Sequence, residues 1–558
     1  MKTYFLIAFL LSNIYGIAQT KIKALKVTYE QESNGKTISP QSRILLFTSK
    51  ENALLTNEEN FAALKKNYPE SVKYVSFTDH RLYSQTFFNN KDGYITVDSL
   101  SLKKQQFETT DETKVILGYL CHKVKTSINS NIIELWYTKD LDFKGAPTTL
   151  GQNLGLVLEM TRNGNYTIIA KKIERIKNMD RHLLLPDPTA ISMDLISYND
   201  KIWKSKFKSI PVFKNEVISF NEANKSNDSI YKFANGTVIV RKIKFPKLKK
   251  HDLIFLDLEE QSNGDAYDRT GSVFIIPQTK KQSFLDGLTN GVNVLPIYQN
   301  GNGKNYQGIV ATDDYEPLVE LMRFFTPFGV HHFNQFRLKD KIWSDAAYYR
   351  QDISELHSLL DNEEVYIGTF IGNYDKGGHK ISMNITIHDS ENSMFHDTKA
   401  IPVFNTTNIM EMGGQEYSTL FDVEKGLEVT FRLKEPLKKA RLRYISTGHG
   451  GWENGDEFLP KPNTISLNRK QMMRFIPWRQ DCGSYRLMNP VSGNFENGLS
   501  SSDYSRSNWC PGTVTNPIMI ELGDLEAGEH TIQIQIPQGQ NEGGSFSSWN
   551  VSGIIIGE

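Results

Sequence analysis

The run Thr531-Ile-Gln-Ile-Gln-Ile536 alternates polar and apolar residues without a break. A period of two puts the isoleucines on one face of an extended chain, whereas a helix would scatter them. The run therefore reads as a half-buried β-strand. Runs of the same kind, alternating or rich in β-branched residues, lie at Thr237–Ile243, Leu253–Leu258, Ser272–Ile276, Glu428–Leu433, Arg441–Ser446 and Val551–Ile556. Turn residues bound each of them. Asn-Gly pairs at Asn34, Asn235 and Asn263 supply tight turns. Helical periodicity is scarce, with one short helix expected over Ile353–Leu360. The chain is mostly β, and sandwiches or jelly rolls are the architecture to expect.

Length and composition divide this β-rich chain. Its 558 residues suffice for three or four domains. The polar run Asn221–Ser229 (NEANKSNDS) is the clearest boundary signal. It suggests an accessory β-rich domain over 19–220, a linker over 221–234, and two further blocks at 235–398 and 399–558. Lys plus Arg balances Asp plus Glu at 64 each. A neutral chain argues against a nucleic-acid partner, which calls for a basic face.

The N-terminus sets the expected compartment. Lys2, the apolar run Tyr4–Leu11 and the small residues Gly16 and Ala18 form a signal-peptide pattern over 1–18. The apolar run is shorter than the roughly 20 residues that span a bilayer. Export, to the periplasm or beyond, is the expectation, with no membrane span. In that oxidising setting the three cysteines should yield one pair and one free thiol. Cys482 and Cys510 lie 28 positions apart in a Gly-, Asn- and Ser-rich stretch and are the expected bridge. Closing that loop should contribute roughly 3–4 kcal/mol. Cys121, in the apolar run ILGYLCHK, reads as a buried thiol.

Two loops combine glycines, carboxylates and an adjoining strand. One is Gln261-Ser-Asn-Gly264-Asp265-Ala-Tyr267-Asp268-Arg269-Thr-Gly271, and the other is His449-Gly-Gly-Trp452-Glu453-Asn-Gly455-Asp456-Glu457. Amide hydrolysis needs a base for water, a proton source for the leaving amine, and stabilisation of the oxyanion. A carboxylate from each loop, facing across a cleft, could meet the first two needs. His331-His332 is the one histidine pair, but the chain has no His-x-His and its other histidines stand singly, which does not make a metal cluster. Neither a metal nor a cofactor is expected.

From about Gly236 onward the chain resembles the peptide-N-glycosidase F family. The matching segments are Ala266–Arg269, Arg323-Phe-Phe-Thr-Pro327-Phe, Asp352–Leu360, Gly455-Asp456-Glu457 and Arg506-Ser-Asn-Trp509-Cys510-Pro-Gly512. That resemblance implies two tandem eight-stranded antiparallel jelly rolls with the active site between them. It implies an amidase that cleaves the bond between asparagine and the first N-acetylglucosamine of N-linked glycans. Glycoproteins and glycopeptides, read through their chitobiose core, would be the substrates, and a monomer would suffice. A catalytically inactive glycan-binding protein on the same fold is the alternative.

By the same resemblance Asp268 is the primary catalytic aspartate and Glu457 the second essential carboxylate. Arg269, Tyr267, His449, Trp452, Arg506 and Trp509 become substrate-binding candidates, and Cys482–Cys510 a family disulfide. The disulfides that elsewhere flank the two carboxylate loops are missing, so hydrogen bonds and packing must hold them. A third carboxylate is expected where this chain has Gly368, in the run Val365–Phe370. Gly368 and Phe370 are accordingly expected at the site, leaving room for a core α1,3-fucose, as in type II relatives with an additional N-terminal domain. The N-terminal block resembles a β-rich family named for a Gly-Leu-Pro-Gly-Leu-Ile motif, through Gly118–His122, Trp136–Thr138 and Leu154–Leu158.

Overall fold

The computed structural model describes residues 21–38, 43–62, 68–89, 91–336, 338–390, 398–450, 455–490, 500–540 and 547–558. The segment 1–18, expected to be a signal peptide, and Trp452 and Glu453 lie outside them. Two compact units divide between Lys206 and Phe207. Among the described residues, no helix is long and apolar enough to cross a membrane.

The first unit is built on one long, mostly antiparallel sheet. It runs from Ile191–Ser192 at one edge, through Lys21–Ser33 paired with Tyr166–Asp180 near the middle, to Glu108–Ile116 at the other edge. Asn34 and Gly35 take φ of 50° and 74°, so the first Asn-Gly pair makes the expected hairpin turn. Leu135, Leu156, Val157 and the free Cys121 are fully buried in this unit's core.

The boundary differs from the expectation at Phe220. Phe207–Ile218 is an edge strand of the second unit, paired antiparallel with His379–His388. Asn221–Ser229 is therefore a loop inside that unit rather than a linker between domains. Pro211 and two register shifts interrupt the strand's alternation, which hid it in the sequence.

The second unit contains two double-layered arrangements of antiparallel sheets. In the first, the sheet Phe207–Ile218, His379–His388, Leu253–Ser262, Ala347–Asp352 accompanies a six-stranded sheet. The longest strands of that partner are Val238–Lys244, Glu364–Ile371, Thr270–Ile276 and Val319–Phe325. In the second arrangement, Lys399–Asn405, Ser548–Gly557, Leu437–His449 and Ile518–Leu525 form one sheet. Leu427–Leu433, Gly528–Gln535, Asn463–Leu467 and Lys470–Phe475 form the other.

Ile532 and Ile534 are fully buried while Gln533 and Gln535 are not, as the alternation requires. Ser548–Gly557 behaves differently, because every residue in it is buried. Its Ile554 and Ile556 pack with the first arrangement's core, while Val551 and Ile555 pack with the second's. A strand covered on both faces loses its alternation, which accounts for the run Gly-Ile-Ile-Ile. The expected short helix is a 3-10 helix over Ser354–Leu359.

Candidate active site

Asp268 sits at the mouth of the strand Thr270–Ile276. Its loop is held from several sides. The Arg269 backbone N–H donates to Thr326 Oγ1 at 2.9 Å, and Gly329 N donates to the Ala266 carbonyl at 3.1 Å. Asp265, beneath the loop, accepts from Tyr267 N and, at 2.7 and 3.0 Å, from both ends of the Arg269 fork. His379 continues the buried network, with Nδ1 at 2.7 Å from Glu260 and Nε2 at 3.4 Å from Asp265. Burial alone would raise the Asp265 carboxyl, but His379 and Arg269 outweigh it and hold it well below its ordinary value. Burial likewise opposes charge on His379, yet its two carboxylates raise it to about 9.

Glu457 follows the strand Leu437–His449, and here Asp456 is the anchor. Its carboxylate accepts from Trp549 Nε1 at 2.7 Å and from Gly539 N at 2.9 Å. Ser507 Oγ donates to its carbonyl at 2.6 Å. Hydrogen bonds thus hold Asp265–Arg269 and Asp456 in place.

The third loop brings Arg506. The Cys482–Cys510 disulfide is formed, and Arg479 and Arg506 exchange backbone hydrogen bonds at 2.9 and 3.0 Å. The Arg506 guanidinium then lies between the two carboxylates. Its Nη2 is 3.1 Å from Asp268 Oδ2, and its Nη1 donates to Glu457 Oε1. Trp509 carries the guanidinium on its face at 4.2 Å and stacks on Phe325 at 4.1 Å. Burial raises the Asp268 carboxyl above its ordinary value, against the pull of Arg506 and then Arg269. Asp268 Oδ2 has no hydrogen-bond partner among the described residues, and the side chain keeps 15% exposure. This is a desolvated carboxylate with accepting capacity to spare.

A 430 Å³ cleft opens over this group, lined by Asp268, Arg269, His449, Glu457 and Trp509 among others. Tyr267, another sequence candidate, does not line the cleft. Tyr267 is half exposed and stands beside Arg269, with the guanidinium 5.5 Å from its ring. Trp509 is 4% exposed, so it supports Arg506 more than it offers a free stacking face.

Gly368 and Phe370 are not at the cleft. Both lie within the strand Glu364–Ile371, buried on the face that packs against Phe274. A Cβ on Gly368 would stand 2.3 Å from Phe274 Cε2. The glycine makes room for a core phenylalanine, and no sugar can occupy that space.

The sequence reading missed Glu411. It lines the cleft, accepts from Tyr417 Oη at 2.8 Å and Tyr374 Oη at 3.2 Å through Oε1, and from Asn408 Nδ2 at 2.8 Å through Oε2. A carboxylate just ahead of Gly413-Gly414 and after a strand was the signal that could have found it.

Comparison with known proteins identifies the family of the chain. Residues 209–387 match the family model described as peptide-N-glycosidase F, N terminal, and 416–556 its C-terminal counterpart. Residues 27–200, likened above to the Gly-Leu-Pro-Gly-Leu-Ile family, match the N-glycanase N-terminal domain. Among solved structures, PNGF-II in a C2 crystal form is 51% identical, with a TM-score of 0.89 over 96% of this chain and 98% of that one. The P21 form gives 51% identity and a TM-score of 0.92 over 96% and 99%. A search of curated proteins returned no match. The chain therefore belongs to the peptide-N-glycosidase F family, in its type II branch, a family of peptide-N-glycosidase hydrolases.

Proposed function

We propose that this protein is an exported amidase that hydrolyses the amide between asparagine and the first N-acetylglucosamine of N-linked glycans. Glycoproteins and glycopeptides are its substrates, and a monomer carries the whole site. Water adds to the side-chain carbonyl, the C–N bond breaks, and the amine leaves with a proton. Asparagine becomes aspartate, and the glycan departs intact as its glycosylamine. Asp268 takes the proton from water, Glu457 orients the amide and first sugar, and Arg506 keeps both carboxylates in register.

The observation that carries this reading is the single guanidinium shared by Asp268 and Glu457 at the floor of an open cleft. Its first test is a glycopeptide digest followed by mass spectrometry, reading loss of the glycan and conversion of Asn to Asp. Asp268→Asn should keep the fold and lose about 10²–10⁴ in turnover, the usual contribution of a general base. A variant with more than roughly a tenth of wild-type turnover would remove Asp268 from that role. Wild-type binding without cleavage would instead favour a glycan-binding protein.

Release of core α1,3-fucosylated glycans is the finer part of the proposal. Its support is the type II resemblance, since Gly368 lies away from the cleft. Paired digests of plain and α1,3-fucosylated glycopeptides decide it, and failure on the fucosylated one ends it.

A further inference from the structure

Arg323 and Glu320 form an ion pair with no exposure at all, on the strand Val319–Phe325. Every N–H of the guanidinium is committed. Nε and Nη2 donate to Glu320 at 3.0 and 2.8 Å, and Nη2 also donates to Thr407 Oγ1 at 3.0 Å. Nη1 donates to the Asn550 carbonyl at 2.6 Å and to Thr447 Oγ1 at 2.9 Å. Glu320 accepts in addition from Ser272 and Ser552, at 2.8 and 2.5 Å. The guanidinium is therefore fixed, and it can only donate.

Thr447 passes that constraint on. Its hydroxyl is buried and has two polar neighbours, Arg323 Nη1 and, at 2.8 Å, His449 Nε2. Since arginine occupies the hydroxyl as an acceptor, the hydroxyl hydrogen has one place to go, and His449 Nε2 must accept it. The reverse arrangement would leave a buried hydroxyl hydrogen without an acceptor, enough to favour the first by roughly tenfold or more. The ring plane is fixed too, stacked against Phe325 and Trp509 at centroid distances of 5.9 and 5.8 Å. His449 Nδ1 has no partner among the described residues, is not a buried unpaired atom, and belongs to a side chain lining the cleft.

We propose that Arg323, acting through Thr447, locks His449 as its neutral Nδ1–H tautomer, which donates to an amide carbonyl oxygen of the substrate. The substrate half of this statement rests on the amidase reading; the tautomer half does not. Burial next to Arg323 and Arg506 pulls the ring down to about 3, so it stays neutral throughout the working range. Arg323 and Thr447 are positioning residues, and His449 alone meets substrate.

The test uses the full chain, with ¹⁵N-labelled histidine and no substrate. His449→Gln identifies the His449 signals by their disappearance. Wild type should show an unprotonated Nε2, a protonated Nδ1 and no titration between about pH 5 and pH 8. Thr447→Ser should keep that pattern, and Thr447→Val should lose it to a mixture of tautomers. An Nε2–H tautomer in wild type, a ring that titrates in that interval, or a Thr447→Val pattern identical to wild type overturns the lock. With a glycopeptide, His449→Phe keeps the stack but removes the N–H. Turnover or substrate affinity should fall about tenfold or more. If wild type cleaves and His449→Phe matches it in both kcat and KM, the donor role is refuted. If wild type fails to cleave at all, the amidase reading fails, while the spectra still decide the tautomer.

Discussion

Replacing Arg506 with glutamine should move the acid limb of the pH–rate profile. At 3.1 Å from Asp268, the guanidinium is worth about 5 kcal/mol to that carboxylate at an effective dielectric of about 20. Suppose water entry and rearrangement recover three quarters of that figure. About 1.3 kcal/mol then remains, close to a tenfold change in the protonation equilibrium of Asp268. The sign is fixed by the environment. Burial already raises this carboxyl, and Arg506 is the larger of the two charges that pull it down. Without Arg506 the base stays protonated to higher pH, so the acid limb of kcat/KM should rise by about one pH unit or more. Glu457 loses the same partner, so activity on the plateau should also fall, by roughly 10²–10³. Breaking a buried pair costs about 3–5 kcal/mol, so the profile must be measured well below the variant's melting temperature. Arg506→Lys keeps the charge without the fork and should move the limb less than Arg506→Gln. An acid limb of folded Arg506→Gln that coincides with that of wild type would show that Arg506 does not set the protonation of Asp268.

The other expectations concern the frame around the site. Gly368→Ala should destabilise by about 1–3 kcal/mol through overpacking against Phe274, and should not single out fucosylated substrates. Adding Phe274→Leu should recover part of that loss in urea denaturation, and simple additivity would contradict the clash. His379 takes the folded value of about 9 against an ordinary 6.5. Its share of stability is therefore complete below 6.5 and disappears as pH rises through 9. Urea midpoints across that interval should fall for wild type more steeply than for His379→Gln; parallel curves would disprove the charged network. Removing residues through Lys206 should leave a folded unit that still cleaves short glycopeptides, while removal through Phe220 also strips the edge strand Phe207–Ile218 and should destabilise it. Loss of short-glycopeptide cleavage by the folded shorter truncation would assign chemistry to the N-terminal domain.

What the sequence could reveal follows from what each residue type signals locally. Strands with one covered face, such as Gly528–Gln535, announce themselves by alternation. Phe207–Ile218 does not, because Pro211 and the register shifts break the period that defines a strand. The carboxylate loops were legible because a carboxylate among glycines at a strand's end is a local pattern. The Arg506 bridge was not, since its partners lie 49 residues away along the chain at Glu457 and much farther at Asp268. That contact exists only once sheets from both arrangements have packed together.

Gly368 shows why the third side of the cleft was misplaced. A glycine reads identically in sequence whether it makes space for a ligand or for a neighbour's ring. Only Phe274, across the sheet, decides between them. Glu411 enters the cleft from a different loop, and its surroundings set it apart from the other two carboxylates. Asp268 and Glu457 share a cation, whereas Glu411 receives two tyrosine hydroxyls and an amide. Neutral donors hold a carboxylate in place without giving it a counter-charge to exchange. Asp268, raised by burial and still 15% exposed where it lines the cleft, is the group left able to accept a proton from water. The division of labour among three acids in one cleft thus follows from their partners rather than from their positions in the chain.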